Sequence, residues 1–244
     1  MEIERYKVIL AYYGAAFSGM QRQARRRSVQ AELEDALRAL GWAGRSILIA
    51  GRTDAGVHAS GQVAAFDMEW KHSTESLQKA LNAKLPPDVA VQAVSVAAGD
   101  FHPRYDARKR TYRYRIYCQP QRDPLREGLA WRAWPAPQLR RLQYAARQLR
   151  GEHDFAAFGT APQPGGHTLR RVYAARWRAE RDEFVFEVSA NAFLYHMVRR
   201  MVGLQVKVGQ GLAEPDAVRT ALGSTQRVRE LAPPQGLVLV SVEY

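Results

Sequence analysis

Between Arg5 and Tyr13 the chain alternates. Tyr6, Val8 and Leu10 share one face with Lys7 and Ile9 between them, the two-residue period of a strand. After Ser28 the period lengthens. Val29, Leu33, Ala36, Leu37 and Leu40 fall on one side of a helix, with Ser28 placed to cap its start and Gly41 to stop it. Short strands are predicted at Ser46–Ala50 and Gln62–Phe66. A helix is predicted over Ser73–Leu85, ended by Pro86-Pro87, and a strand over Val89–Ala97. The pattern restarts after Arg104. Lys109–Cys118 puts Tyr112, Tyr114 and Ile116 on one face and Arg113 and Arg115 on the other. Ala136–Arg150 reads as a helix stopped by Gly151, and 159–167 as a Gly- and Pro-rich loop. Thr168–Glu180 and Glu183–Ala190 read as paired strands around Arg181-Asp182, Phe193–Val208 as a helix and Gly236–Tyr244 as a closing strand.

Helices separated by strand pairs predict an α+β class. Both halves follow the plan strand, loop with phenylalanine (Phe17, Phe193), helix. This points to two related α/β units, 1–106 and 107–244. At 244 residues, 46% hydrophobic and 25% charged, the chain has the composition and length to bury a core. No apolar run approaches a membrane span, and Met1–Tyr6 lacks the pattern of a secretion signal. The single cysteine, Cys118, allows no internal disulfide. A cytoplasmic protein is therefore expected. One Cys and six His without ligand spacing predict no metal site.

Charge changes the picture. Thirty-six Lys and Arg against 24 Asp and Glu leave +12, a field that attracts polyanions, nucleic acid above all. Four segments then offer chemistry. In Gly51-Arg52-Thr53-Asp54-Ala55-Gly56-Val57-His58 a lone carboxylate sits in a glycine-bounded loop, and Arg52 favours its charged form. The competing reading is a turn aspartate bonding its own backbone. In Lys109–Arg115, Tyr and Arg alternate as in a surface that stacks bases and holds phosphates, or as in an ordinary amphipathic strand. Arg22 with Arg25, Arg26 and Arg27 makes either a phosphate track or a solvated loop. Asn191–Arg200 places His196, Arg199 and Arg200 beside an apolar helix face. The glycines at 165–166 and 209–211 lack the Lys and Ser/Thr of a phosphate-binding loop, which excludes a nucleotide cofactor of that kind.

The octapeptide around Asp54, continued through Ser60-Gly61-Gln62-Val63, resembles the bacterial tRNA pseudouridine synthase A (TruA) family. The likeness recurs at Tyr12–Gln23, Ser28-Val29-Gln30, Phe101-His102 and Arg110–Tyr114. It continues at Gly151–Phe155, Thr168–Arg171, Asn191–Arg199 and Gly236-Leu237, so it spans nearly the whole chain. The resemblance implies two α/β subdomains with mostly antiparallel sheets flanking a basic catalytic cleft. It also implies a homodimer and conversion of uridine to pseudouridine at tRNA positions 38, 39 and 40, without cofactor or metal. By motif, Asp54 matches the catalytic aspartate and Arg199 the basic residue paired with it. Tyr112 matches the tyrosine on the target base and Arg52 the arginine that helps extrude it. His58, Arg22, Gln23 and Arg110 fall in matching motifs and are expected to bind substrate. The chain departs from the pattern at Tyr13, where Asp is frequent, at Met20, where Trp is frequent, and at Val238, where Tyr is frequent.

Overall fold

The computed structural model describes residues 3–163 and 165–244. Met1 and Glu2, part of the segment read for a secretion signal, and Pro164 of the 159–167 loop lie outside the described residues. The chain forms two compact units: Met1–Arg108 with Leu239–Tyr244, and Lys109–Val238.

The first unit is an antiparallel sheet carrying two helices. Its strands are β1 (Glu4–Tyr12), β2 (Leu48–Ile49), β3 (His58–Met68) and β4 (Val89–Ala97), with β1 between β3 and β4 and β2 paired to β3. The register sets Tyr6 opposite Phe66 and Val8 opposite Ala64, all buried, with the Tyr6 and Phe66 rings stacked at 6.0 Å. Helix α1 (Val29–Arg38) starts at Ser28, whose hydroxyl accepts from the Ala31 amide. Helix α2 (Thr74–Lys84) starts at Ser73, which accepts from Ser76. Both caps satisfy amides that the first helical turn leaves open. Asn82 of α2 exchanges two hydrogen bonds with the Val91 backbone of β4, at 2.9 and 2.7 Å. Strand β3 is longer at both ends than the predicted Gln62–Phe66. Nearly all its residues are buried on both faces, which erases the alternation that marks a half-exposed strand.

The second unit is also mostly antiparallel. Its strands are β5 (Lys109–Tyr117), β6 (Trp131–Arg132), β7 (Gly151–Asp154), β8 (Leu169–Glu180) and β9 (Glu183–Ala190). They run in the order β5-β9-β8-β7, with β6 parallel on β5. Helices α3 (Leu139–Arg147), α4 (Met197–Gly209) and α5 (Ala217–Leu222) complete it. Trp177 of β8 donates to buried Gln205 of α4 at 2.9 Å.

Helix α4 begins four residues after the predicted Phe193. His196 sits in the left-handed region at φ 65, which no helix continues through. Tyr195, just before it, bridges to Thr160 instead. The apolar spacing of Leu194, Met197 and Val198 hides this break. Strand β10 (Leu237–Glu243) lies beside β3, and residues 239–244 belong to the first unit, whereas the sequence reading assigned them to 107–244. Three contacts hold this return. The Ser60 hydroxyl meets the Val240 carbonyl at 3.5 Å, the Arg108 amide donates to the Glu243 carbonyl at 2.8 Å, and the Tyr244 hydroxyl donates to the Pro103 carbonyl at 2.9 Å.

Candidate active site

The Asp54 loop leaves β2 at Ala50 and enters β3 at His58. Its backbone is tied down on several sides. The Ala50 amide donates to Val63, Gln62 Nε2 to the Gly51 carbonyl at 2.9 Å, and the Met20 amide to the Thr53 carbonyl at 3.1 Å. The Val57 amide closes a turn onto the Asp54 carbonyl at 3.2 Å, through Gly56 at φ 78. Asp54 is half-buried and Arg52 exposed, with buried Thr53 between them.

Beneath the loop lies a polar chain. The Tyr12 hydroxyl is 2.7 Å from Thr53 Oγ1, and Gln62 Nε2 approaches the same hydroxyl at 3.5 Å. Gln62 Oε1 accepts from the Val63 amide, which fixes its amide so that nitrogen faces Tyr12. Burial pushes the Tyr12 phenol up to about 12, although its bonds to Thr53 and Gln62 act the other way. It is therefore a neutral strut at physiological pH.

His58 is 3% exposed, and its Nδ1 accepts from the Gly14 amide at 2.9 Å. Gly14 is obligatory here, because a Cβ would stand 2.0 Å from the Val57 carbonyl oxygen. The Tyr13 ring stacks on His58 with centroids 4.8 Å apart and an interplanar angle of 27°.

The four arginines of the basic stretch have different surroundings. Arg22 reaches Glu34 at 2.5 Å; Arg22 is 44% exposed and Glu34 fully buried. Glu34 also accepts from Gln30 Nε2 and the Ile47 amide, so it is satisfied. Arg27 pairs with Glu32 and, through two bonds, with Asp88, and lies 4.2 Å over the Phe17 ring. Arg27 holds the Asp88 carboxyl below the usual carboxylate range. Arg25 and Arg26 are exposed. Gln23 donates to the Ser18 carbonyl at 2.7 Å.

In the second unit, Arg110, Tyr112 and Tyr114 occupy the buried face of β5. Arg110 donates to the Asn191 carbonyl at 2.8 Å, and Tyr112 meets the edge of Phe193 with centroids 5.0 Å apart. The Tyr114 hydroxyl donates to the Pro233 carbonyl at 2.7 Å, and Arg199 Nε donates to the Ala232 carbonyl at 2.8 Å. Burial drives the Tyr114 phenol well above its ordinary value, and the nearby Arg199 charge opposes it. Within this unit, then, Arg199 of α4 and the Tyr112–Tyr114 face of β5 are anchored at one place, the 232–233 segment serving as the shared acceptor.

Four of these residues escaped the sequence reading in these roles: Tyr12, Thr53, Gln62 and Tyr114. Gln62 carried a usable signal, a polar residue leading the apolar run Val63–Phe66. Among the described residues, no group of three His, Cys, Asp or Glu is placed to hold a metal ion. None of their helices is long and apolar enough to cross a membrane.

A tRNA pseudouridine synthase family model matches residues 8–106 and 145–244, which include the Asp54 loop and Arg199. The chain is 39% identical over 246 residues to the tRNA pseudouridine synthase A of Geobacillus kaustophilus, covering 99% of this chain and 95% of that one. It is 42% identical over 257 residues to the Chloroflexus aurantiacus protein of the same name, with 97% and 87% covered. For the Myxococcus xanthus protein, again of that name, the figures are 41% over 243 residues, with 98% and 92% covered. This chain belongs to the tRNA pseudouridine synthase family, isomerases that turn uridine into pseudouridine within tRNA.

Proposed function

We propose that this chain acts on uridines 38, 39 and 40 of the tRNA anticodon stem–loop, with Asp54 as the nucleophile and without metal or cofactor. The reaction breaks N1–C1′, forms C5–C1′, releases the C5 proton to water and takes up a proton at N1. It has no net redox change and no hydrolysis. It asks for a nucleophile, a proton acceptor and a pocket that keeps the detached base. The Asp54 loop carries this reading. A half-buried carboxylate on a backbone fixed from both sides, in a chain of net charge +12, weakens phosphate binding and so asks for a chemical role.

In this reading Arg199 pairs with Asp54 and keeps it ionised. Tyr112 packs on the target base. Arg52 fills the gap left by the extruded nucleotide, whose unstacking costs a few kcal/mol. Gln23 and Arg110 contact the RNA. Arg22 does so with the part of its guanidinium that Glu34 leaves exposed, and His58 contributes from behind the loop. The enzyme works as a cytoplasmic homodimer.

The test uses tRNA transcript tritiated at uridine C5 and no added metal. Tritium release mapped to positions 38–40, abolished in Asp54→Asn while tRNA binding stays within a few-fold, is the expected result. Near-normal release by Asp54→Asn would end the assignment. Tight binding without release by the wild-type chain would mark a binding module instead.

A further inference from the structure

Tyr13 departs from the family pattern, and the structure gives it an unusual setting. Tyr13 is 42% exposed, yet it is held. The inner face lies on His58, which is buried and fixed by the Gly14 amide. The Tyr13 amide donates to the Asp88 carbonyl at 2.9 Å, and the Asp88 carboxylate is gripped by Arg27. The next residue, Gly14, is wedged against Val57. Two other exposed tyrosines lie tilted against histidines, Tyr105 on His102 and Tyr195 on His196, but those partners are near neighbours in the chain and are not buried. Only in the Tyr13 stack, among these three, does the backing ring come from the core, and from the end of the Asp54 loop.

A rigid ring with one face seated and the other open binds a flat partner at little cost in ordering. The partner is narrowed by what surrounds it: a loop bearing Asp54 and a chain of strong positive charge. We infer that the outer face of Tyr13 is a stacking platform for a nucleobase of the tRNA flanking the target uridine. This rests on the tRNA reading above. Seated on His58 at the rim of the loop, Tyr13 is expected to set affinity and base context rather than rate.

The experiment measures the Kd of labelled anticodon stem–loop RNA, intact and with single abasic sites, for wild type, Tyr13→Phe, Tyr13→Leu and Tyr13→Ala. Tyr13→Leu keeps apolar bulk over His58 without a π-face and so controls for packing. Tyr13→Phe is expected within twofold of wild type, and Tyr13→Leu and Tyr13→Ala about 10-fold weaker. Tritium release at saturating RNA should stay within twofold in all three. One abasic position should weaken the wild type about 10-fold and have no further effect on Tyr13→Ala. The inference falls if Tyr13→Ala binds within twofold, if Tyr13→Leu binds like wild type, if Tyr13→Phe is as weak as Tyr13→Ala, or if no abasic position couples to residue 13. These are binding outcomes. Failure of wild type to release tritium would strike the function itself and leaves the binding comparison readable.

Discussion

At the scale of single residues, the backbone beside the Asp54 carboxylate is held by buried groups. The Thr53 hydroxyl is hydrogen-bonded to the Tyr12 phenol and its carbonyl accepts from the Met20 amide, so the backbone next to Asp54 is fixed from two directions. Thr53→Val keeps the volume but removes the hydroxyl that partners the buried phenol. Unfolding free energy should fall by about 1–2 kcal/mol in denaturant melts. Single-turnover tritium release should slow about 10-fold, the effect expected of a shifted Asp54 carboxylate. Thr53→Ser should restore both. Asp54 and its glycines were legible in the sequence because a carboxylate between turn residues is a local pattern. The Tyr12–Thr53–Gln62 chain was not, since its members meet only through the pairing of β1 with β3. Arg22 shows the same limit. It reads as a phosphate contact, but folding buries Glu34 beneath it. Arg22→Ala should therefore cost stability, about 1–3 kcal/mol by denaturant melt. That is below the toll of a fully buried pair because this guanidinium is 44% exposed.

At the scale of elements, periodicity located every long helix and strand and the short β2, and missed three other short ones. β6, β7 and α5 span too few residues to show a period. The start of α4 was misplaced because hydrophobic spacing runs on through Tyr195 and His196, whereas the left-handed backbone there follows from the bridge to Thr160. The loop between β1 and α1 and the start of β4 are joined by Arg27 and Asp88, an ion pair that also props the Tyr13 amide. Asp88 titrates below its ordinary range when folded. Its contribution to stability is therefore complete above the unfolded carboxylate value, about 4, and is lost as pH falls through the folded one. Melts of Asp88→Asn should show a flatter decline than wild type below about pH 4, with lower stability at pH 7. An identical acid limb in both proteins would dismiss the pair as a contributor.

At the scale of the whole molecule, net charge and family were legible from composition and ordered motifs, and the two-unit plan from the restart of the strand pattern near residue 109. The surplus of positive charge predicts a steep fall of RNA affinity with salt. All four arginines of the basic stretch are exposed, and Arg22 and Arg27 are engaged in ion pairs with Glu34, Glu32 and Asp88, which makes Arg25 and Arg26 the pair to test. Replacing both with Ala should make the plot of log K against log salt shallower by roughly 0.7–0.9 for each phosphate that is no longer neutralised. An unchanged slope would take this loop off the RNA path. The strand that closes the first unit was assigned to the wrong half, because nothing local to residues 239–244 names its partner. That return has a consequence during synthesis. Strands β1 to β4 leave the ribosome early, but their unit lacks residues 239–244 until the whole of the second unit has been translated. Tyr112 and Arg199 are thus synthesised before the strand that completes the unit bearing Asp54. A ribosome stalled anywhere short of that strand holds the Asp54 loop in a unit that still lacks its last strand.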